Sequence, residues 1–261
     1  MHLPHDLRLR LADRELEPVS IGQSDAAVWR CTRRGHLDWY LKTASVADGG
    51  LEREAACVRW MRGVGLPVPA VIDYARESET DFLLSEAAIG TPASDSHWTR
   101  DANRVAITLG RGLARLHATD ISTCPFDRSI ARQLDEARDR ITAGNVREDD
   151  FDEARLGRSA TKLFAELMTM IPDESDRVFV HGDFCLPNVL LGEVDEELHI
   201  TGLVDCGRCG IGDRHQDVAL AIRSLTFNFN ASVVDSFLSA YGDPSVRAKT
   251  LEFFTVLDEF F

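Results

Sequence analysis

Strand-forming residues cluster in the first third of this chain, and helical stripes fill most of the rest. That segregation argues against strands alternating with helices and predicts an α+β fold with its strands grouped early. Residues 19–43 carry Val28, Trp29, Trp39, Tyr40 and Leu41, with Arg33-Arg34-Gly35-His36 as the turn between two strands. Leu51, Ala55, Val58 and Met61 recur at helical spacing, and Gly63, Gly65 and Pro67 end that helix near residue 62. Apolar bursts at Val68–Tyr74 and Phe82–Ser85 add two strands. Beyond residue 90, Val105, Leu109, Leu113 and Leu116 form one helical stripe, and helices are expected at 128–143, 159–171, 213–226, 231–241 and 245–260. A short strand at 177–181 and a hairpin, 189–193 with 198–204, interrupt them. The expected division is a small strand-rich part, 1–87, and a larger helical part, 88–261.

A chain of 261 residues buries a sizeable core without disulfide staples. Its six cysteines lack the spacing of a small secreted framework and are expected as free thiols in a reducing cytoplasm. No apolar run approaches the roughly 20 residues of a membrane span, and the start carries no secretory pattern. Neither a membrane nor a nucleic acid is an expected partner. Forty-three acids against 29 bases leave a net charge of −14, which phosphates would repel. A cationic ligand suits that balance. Residues 88–261 hold 29 of the acids and 18 of the bases. Only three basic residues are lysine (Lys42, Lys162 and Lys249).

The chemistry concentrates in His181-Gly-Asp183-Phe-Cys-Leu-Pro-Asn188. His-x-Asp, four residues, then Asn is the spacing of a kinase catalytic loop. Asp183 follows a strand and can take the proton of an attacking hydroxyl, Asn188 can bind a metal, and His181 can brace the loop. Farther on stands Asp205-Cys-Gly207, the Asp-x-Gly partner whose carboxylate can hold Mg²⁺ against ATP phosphates. The two motifs in this order are far more specific than either alone. Lys42 ends a strand and Glu54 lies on the following helix, the pair with which kinases orient phosphates. Gly22-Gln23-Ser24-Asp25 lacks a glycine-rich phosphate pattern, though Ser24 offers a hydroxyl and an N–H. The connector Phe82–Ala87 is placed against adenine. Cys206-x-x-Cys209 raises a zinc or redox alternative, but no second Cys-x-x-Cys accompanies it.

With Val204–Leu220, Arg53-Glu54, Leu66-Pro-Val-Pro69, Cys124-Pro-Phe-Asp127 and Leu257-Asp-Glu-Phe-Phe261, these segments resemble bacterial aminoglycoside 3′-phosphotransferases from about residue 20 onward. The resemblance implies a two-lobed, protein-kinase-like fold, with nucleotide held by 1–87 and drug by 88–261. The implied reaction moves the γ-phosphate of ATP, or of GTP, to a hydroxyl of a kanamycin- or neomycin-like drug. It makes Asp183 the base, Lys42 and Glu54 the phosphate-orienting pair, and Asn188 and Asp205 the magnesium ligands. Ser85 and Ala87 would bind adenine, with Tyr40 stacking, and Arg208 would lie near the transferring phosphate and the substrate. A streptomycin 3″-kinase or another small-hydroxyl kinase is the runner-up, and monomer or weak dimer stays open.

Aminoglycosides are polycations, and fixed carboxylates recognise them best. The resemblance assigns that task to Asp152 and Glu153, to Asp258 and Glu259, and to the carboxylate of Phe261, with Arg223 retained. Some members of the family carry acids where this chain has Ser224 and Phe227, so both are expected as lost substrate contacts.

Overall fold

In the computed structural model the described residues are 2–19, 26–46, 50–173, 176–242 and 246–261. They divide into two compact units. One comprises Met1–Thr91 with Leu190–Gly192 and Ile200–Gly207, and the other comprises Pro92–Val189, Glu193–His199 and Arg208–Phe261.

In the first unit, helix α1 (His5–Arg10) precedes strands β1 (Glu15–Val19), β2 (Ala27–Thr32) and β3 (Trp39–Ser45). Helix α2 (Leu51–Gly63) then leads to β4 (Val71–Glu77) and β5 (Thr80–Glu86). The strands form one antiparallel sheet in the order β1-β2-β3-β5-β4. Period-two alternation sorts β3 onto two faces. Leu41 and Trp39 join Leu7 and Leu11 beside α1, while Ala44 packs with Leu51, Ala55 and Leu83 against α2. Tyr40 and Lys42 share the parity of Ala44, so the sheet presents them on the α2 side. Neither α1 nor β1 was expected. Six helical residues and an edge strand containing Pro18 carry too short a pattern to stand out.

The second unit's helices follow the sequence closely. They are α3 (Ala102–His117), α4 (Ile130–Ala143), α5 (Ala160–Leu167), α6 (His215–Asn228), α7 (Val234–Tyr241) and α8 (Ala248–Asp258). The remaining strands are β6 (Thr91–Pro92), β7 (Val178–Val180), β8 (Val189–Val194), β9 (Glu197–Leu203) and β10 (Gly210–Gly212). β7 pairs antiparallel with β10, and the order β6-β8-β9 makes a three-stranded sheet. Gly110 lets α3 meet α7 closely, since a Cβ there would lie 2.4 Å from the Phe237 carbonyl oxygen. Phe253, Phe254, Leu257 and Phe260 from the α8 end form a buried cluster with Leu134, Leu163 and Leu167.

The two compact units are not two continuous stretches of chain that meet at residue 87. The first unit's main segment runs to Thr91, and part of the β8–β9 hairpin belongs to it. Two bonds between residues far apart in sequence hold that part in place. Leu203 N–H donates to the Pro67 carbonyl at 2.7 Å, and Thr201 hydroxyl donates to the Ile89 carbonyl at 2.6 Å. Asp205 therefore belongs with Lys42 and Glu54 rather than with Asp183. The elements themselves support the α+β reading. Among the described residues, no helix is long and apolar enough to cross a membrane.

Candidate active site

The first unit assembles a lysine between two carboxylates. Lys42 Nζ donates to Glu54 Oε1 at 2.8 Å, to Glu54 Oε2 at 3.1 Å and to Asp205 Oδ1 at 3.0 Å. Strand β3 supplies the lysine and the first turn of α2 supplies the glutamate. Burial by itself would lower the ammonium's pKa, but Glu54 and then Asp205 outweigh it and hold it above the ordinary lysine value. Asp205 adopts a left-handed φ of 59°, a strained conformation that a short acid tolerates better than most residues. Arg53 Nε donates to the Gly207 carbonyl at 3.0 Å and ties this loop to α2.

Tyr40, Ser85 and Ala87 are the residues expected near adenine. Tyr40 and Ser85 stand opposite each other in the β3–β5 register. The Ala87 N–H, however, donates to the Asp38 carbonyl at 2.8 Å. This bond lies just beyond the β3–β5 pairing and engages the Ala87 N–H. Ser24 and its neighbours in 20–25 lie outside the described residues.

The second unit holds the catalytic loop between β7 and a 3₁₀ turn, Leu186–Asn188. Asn188 Nδ2 donates to Asp183 Oδ2 at 2.9 Å and to the Asp183 carbonyl at 3.1 Å. The Asp183 N–H meets His181 Nδ1 at 3.3 Å, so the histidine braces the loop. Asp217 accepts the His181 N–H at 2.7 Å and the Gly182 N–H at 2.8 Å, and Gln216 Nε2 donates to the Gly182 carbonyl at 2.9 Å. Sequence reasoning gave Asp217 and Gln216 no role. The available signal was polar residues in the first turn of an otherwise apolar helix. Gly182 has φ 83°, and a Cβ there would lie 2.1 Å from the Arg208 carbonyl oxygen, so only glycine fits.

Three of the acids assigned to the drug, Asp152, Asp258 and Glu259, are already engaged. Asp258 Oδ1 accepts from Arg208 at 2.5 Å, and its other oxygen accepts from Arg223. Burial pushes the Asp258 carboxyl up, but the two guanidiniums outweigh it and hold it below the usual range. An amine reaching Asp258 has to exchange with a guanidinium. Phe261 presents its ring 4.9 Å from the guanidinium carbons of both Arg128 and Arg208. Glu153 is exposed, whereas Asp152 is half-buried. The Asp152 N–H donates to Glu259 Oε2 at 3.0 Å, and Arg155 lies 3.4 Å from Asp152 and 3.3 Å from Glu259. Arg155, another residue the sequence reading missed, is the buried cation of this acid group. Phe227 is 89% exposed, while Ser224 is buried on the neighbouring turn.

Burial is the largest cause that pushes Glu259 up to about 7, and the Asp152 charge adds to it against Arg155. A carboxyl raised on folding binds more protons when folded than when unfolded, between its ordinary value of 4.5 and about 7. Stability from this group therefore falls as pH rises through that window. The melting temperature of the wild type should drop more steeply across it than that of Glu259→Gln. Parallel curves would contradict this assignment.

Among the described residues, no group of three or more His, Cys, Asp and Glu is arranged to hold a metal. Burial, then Glu54 and Asp205, pushes the Cys206 thiol well up, and burial, then Asp183, pushes Cys185 up. Both stay protonated at neutral pH, which does not suit a nucleophile.

The profile of the phosphotransferase enzyme family matches residues 15–253. The chain belongs to that family. It is 34% identical to an aminoglycoside 3′-phosphotransferase of Streptomyces fradiae, over 98% of each protein. The crystal structure of an aminoglycoside 3′-phosphotransferase of type VIII superposes with a TM-score of 0.88 at 38% identity, covering 98% of this chain and 97% of that one. An aminoglycoside phosphotransferase from Streptomyces rimosus, solved with ADP and streptomycin, superposes with a TM-score of 0.82 at 26% identity, over 97% of this chain and 95% of its own. The two-lobed, protein-kinase-like fold and the phosphotransferase activity expected from the sequence stand on these matches.

Proposed function

We infer that this protein moves the γ-phosphoryl group of ATP to the 3′-hydroxyl of a kanamycin- or neomycin-like aminoglycoside and so confers resistance. The observation that carries the reading is Lys42 held between Glu54 and Asp205, a cation preset for phosphate oxygens. The choice of the 3′-hydroxyl is supported by similarity at 34–38% identity over nearly the whole chain to proteins named for that position.

The chain's own groups divide the work. Lys42 takes phosphate oxygens, and Glu54 keeps its ammonium charged and aimed. Asp183, steadied by Asn188, receives the acceptor hydroxyl as a hydrogen bond and takes its proton late in the transfer. Arg208 offsets charge near the phosphate, and Asp152, Glu153, Asp258, Glu259 and the Phe261 carboxylate receive drug amines. Asp205 and Asn188 each carry an oxygen donor that suits magnesium. Asp205 is a carboxylate with 47% of its side chain exposed, and Asn188 commits its amide nitrogen to Asp183 while its oxygen accepts from no described residue. Both are hard oxygen donors of the kind Mg²⁺ takes alongside water and phosphate. When bound, that ion supplies neutralisation of phosphate charge.

Purified protein with Mg-ATP should be offered kanamycin, a 3′-deoxy analogue, streptomycin and GTP in place of ATP. Kanamycin turnover that vanishes with the 3′-deoxy drug supports the reading. Equal turnover of the deoxy drug, or turnover of streptomycin alone, overturns it.

A further inference from the structure

The loop from Asp183 to Asn188 is secured at a position that sequence reasoning read only as a lost substrate contact. Its 3₁₀ turn, Leu186–Asn188, follows Cys185, whose side chain supplies no cap. The first N–H of such a turn has no partner within it. Leu186 is 1% exposed, so water is not the partner either. Its N–H donates instead to Ser224 Oγ on α6 at 2.9 Å. Ser224 is itself fixed by Asn228 one turn on, whose Nδ2 donates to the Ser224 carbonyl at 2.8 Å and lies 3.4 Å from its Oγ. From Leu186 the turn continues to Asn188, whose N–H donates to the Cys185 carbonyl at 3.0 Å and whose amide holds the Asp183 carboxylate. A continuous path therefore runs from the Ser224 hydroxyl to the carboxylate that receives the acceptor proton.

We propose that Ser224 is a positioning residue for Asp183, acting through the Leu186 N–H, and is not a substrate contact. A buried N–H left without an acceptor is costly, and the loop can relieve that cost only by turning Leu186 outward. Asn188 would move with it, and small misplacements of reacting groups are expensive in rate. Threonine and aspartate keep an oxygen acceptor in reach, whereas alanine does not. The proposal rests on Asp183 as the base, but its first readout does not.

Hydrogen exchange at the Leu186 amide tests the bond itself in the intact protein. Ser224→Ala should lose protection there by at least tenfold while amides of α3 keep theirs. The same variant should lose about tenfold in kcat per titrated active site, with KM for ATP and for kanamycin within twofold. Ser224→Thr, or Ser224→Asp where the methyl does not fit, should recover most of the kcat. Unchanged Leu186 protection overturns the proposal. So does a rise in the kanamycin KM alone, a smaller active fraction at unchanged kcat, or failure of both oxygen-bearing variants to recover rate. Absence of kanamycin turnover in the wild type would instead refute the substrate assignment, and the exchange result would still judge the bond.

Discussion

Asp183→Asn should lower kcat by about 10²–10⁴-fold, the range supplied by a positioned acid or base, while both substrates still bind. The replacement keeps the shape of the side chain and removes its charge and basicity. Asn188 holds the carboxylate at 2.9 Å and His181 meets its backbone N–H, so the loop has its own supports. Asp217 clamps the preceding two residues from α6. Calorimetric titration should therefore give Kd values for ATP and kanamycin within about threefold of wild type, because the carboxylates proposed to receive the drug's amines are other ones. Single-turnover kinetics would show the loss in the chemical step. A fall of less than tenfold, or a kanamycin Kd that collapses with the rate, would remove Asp183 from the role of base.

Lys42→Met should cut kcat/KM for ATP by about 10²–10³-fold, the scale lost when a preorganised electrostatic partner is removed. It should also destabilise the protein. Glu54 has 10% of its side chain exposed, and its carboxylate would then face Asp205 with no cation between them. Breaking one partner of a buried pair costs roughly 3–5 kcal/mol, and the 23% exposure of Lys42 puts this case near the lower end. The pH dependence has a definite sign. Lys42 is raised on folding, so its contribution is fully present below the ordinary lysine range and is lost as pH climbs past it. The wild type should lose more stability than Lys42→Met on the alkaline limb of a melting profile. The double variant Lys42→Met, Glu54→Gln should regain stability without regaining turnover. Recovery of both together would mean that the lysine matters only to folding.

The parts legible in the sequence were those with strong periodicity or fixed spacing. The stripe Val105, Leu109, Leu113 and Leu116 appears as one long helix, and the turn at Arg33–His36 joins two paired strands. The motifs at 181–188 and 205–207 carried enough pattern to imply a phosphotransferase, and the family match agrees. What stayed hidden depends on contacts that a linear reading does not contain. Asp205 belongs with Lys42 because Leu203 and Thr201 bond to Pro67 and Ile89, a pairing that no local propensity encodes. Acidity was legible, but its availability was not. Asp258 reads as an open carboxylate, yet two arginines 50 and 35 positions away in sequence occupy it. Arg155 was overlooked for the converse reason, since an arginine beside acids reads as a surface charge. Ser224 was assigned by what it lacked, and its hydroxyl faces a buried backbone N–H.

The central claim is that this site delivers phosphate to one hydroxyl of an aminoglycoside. The direct measurement is phosphorus and proton NMR on the product of a preparative reaction with kanamycin and Mg-ATP. The account predicts a single phosphomonoester whose phosphorus couples to the proton on C3′. A phosphorus coupled to any other carbon's proton, or inorganic phosphate as the sole product, would contradict it.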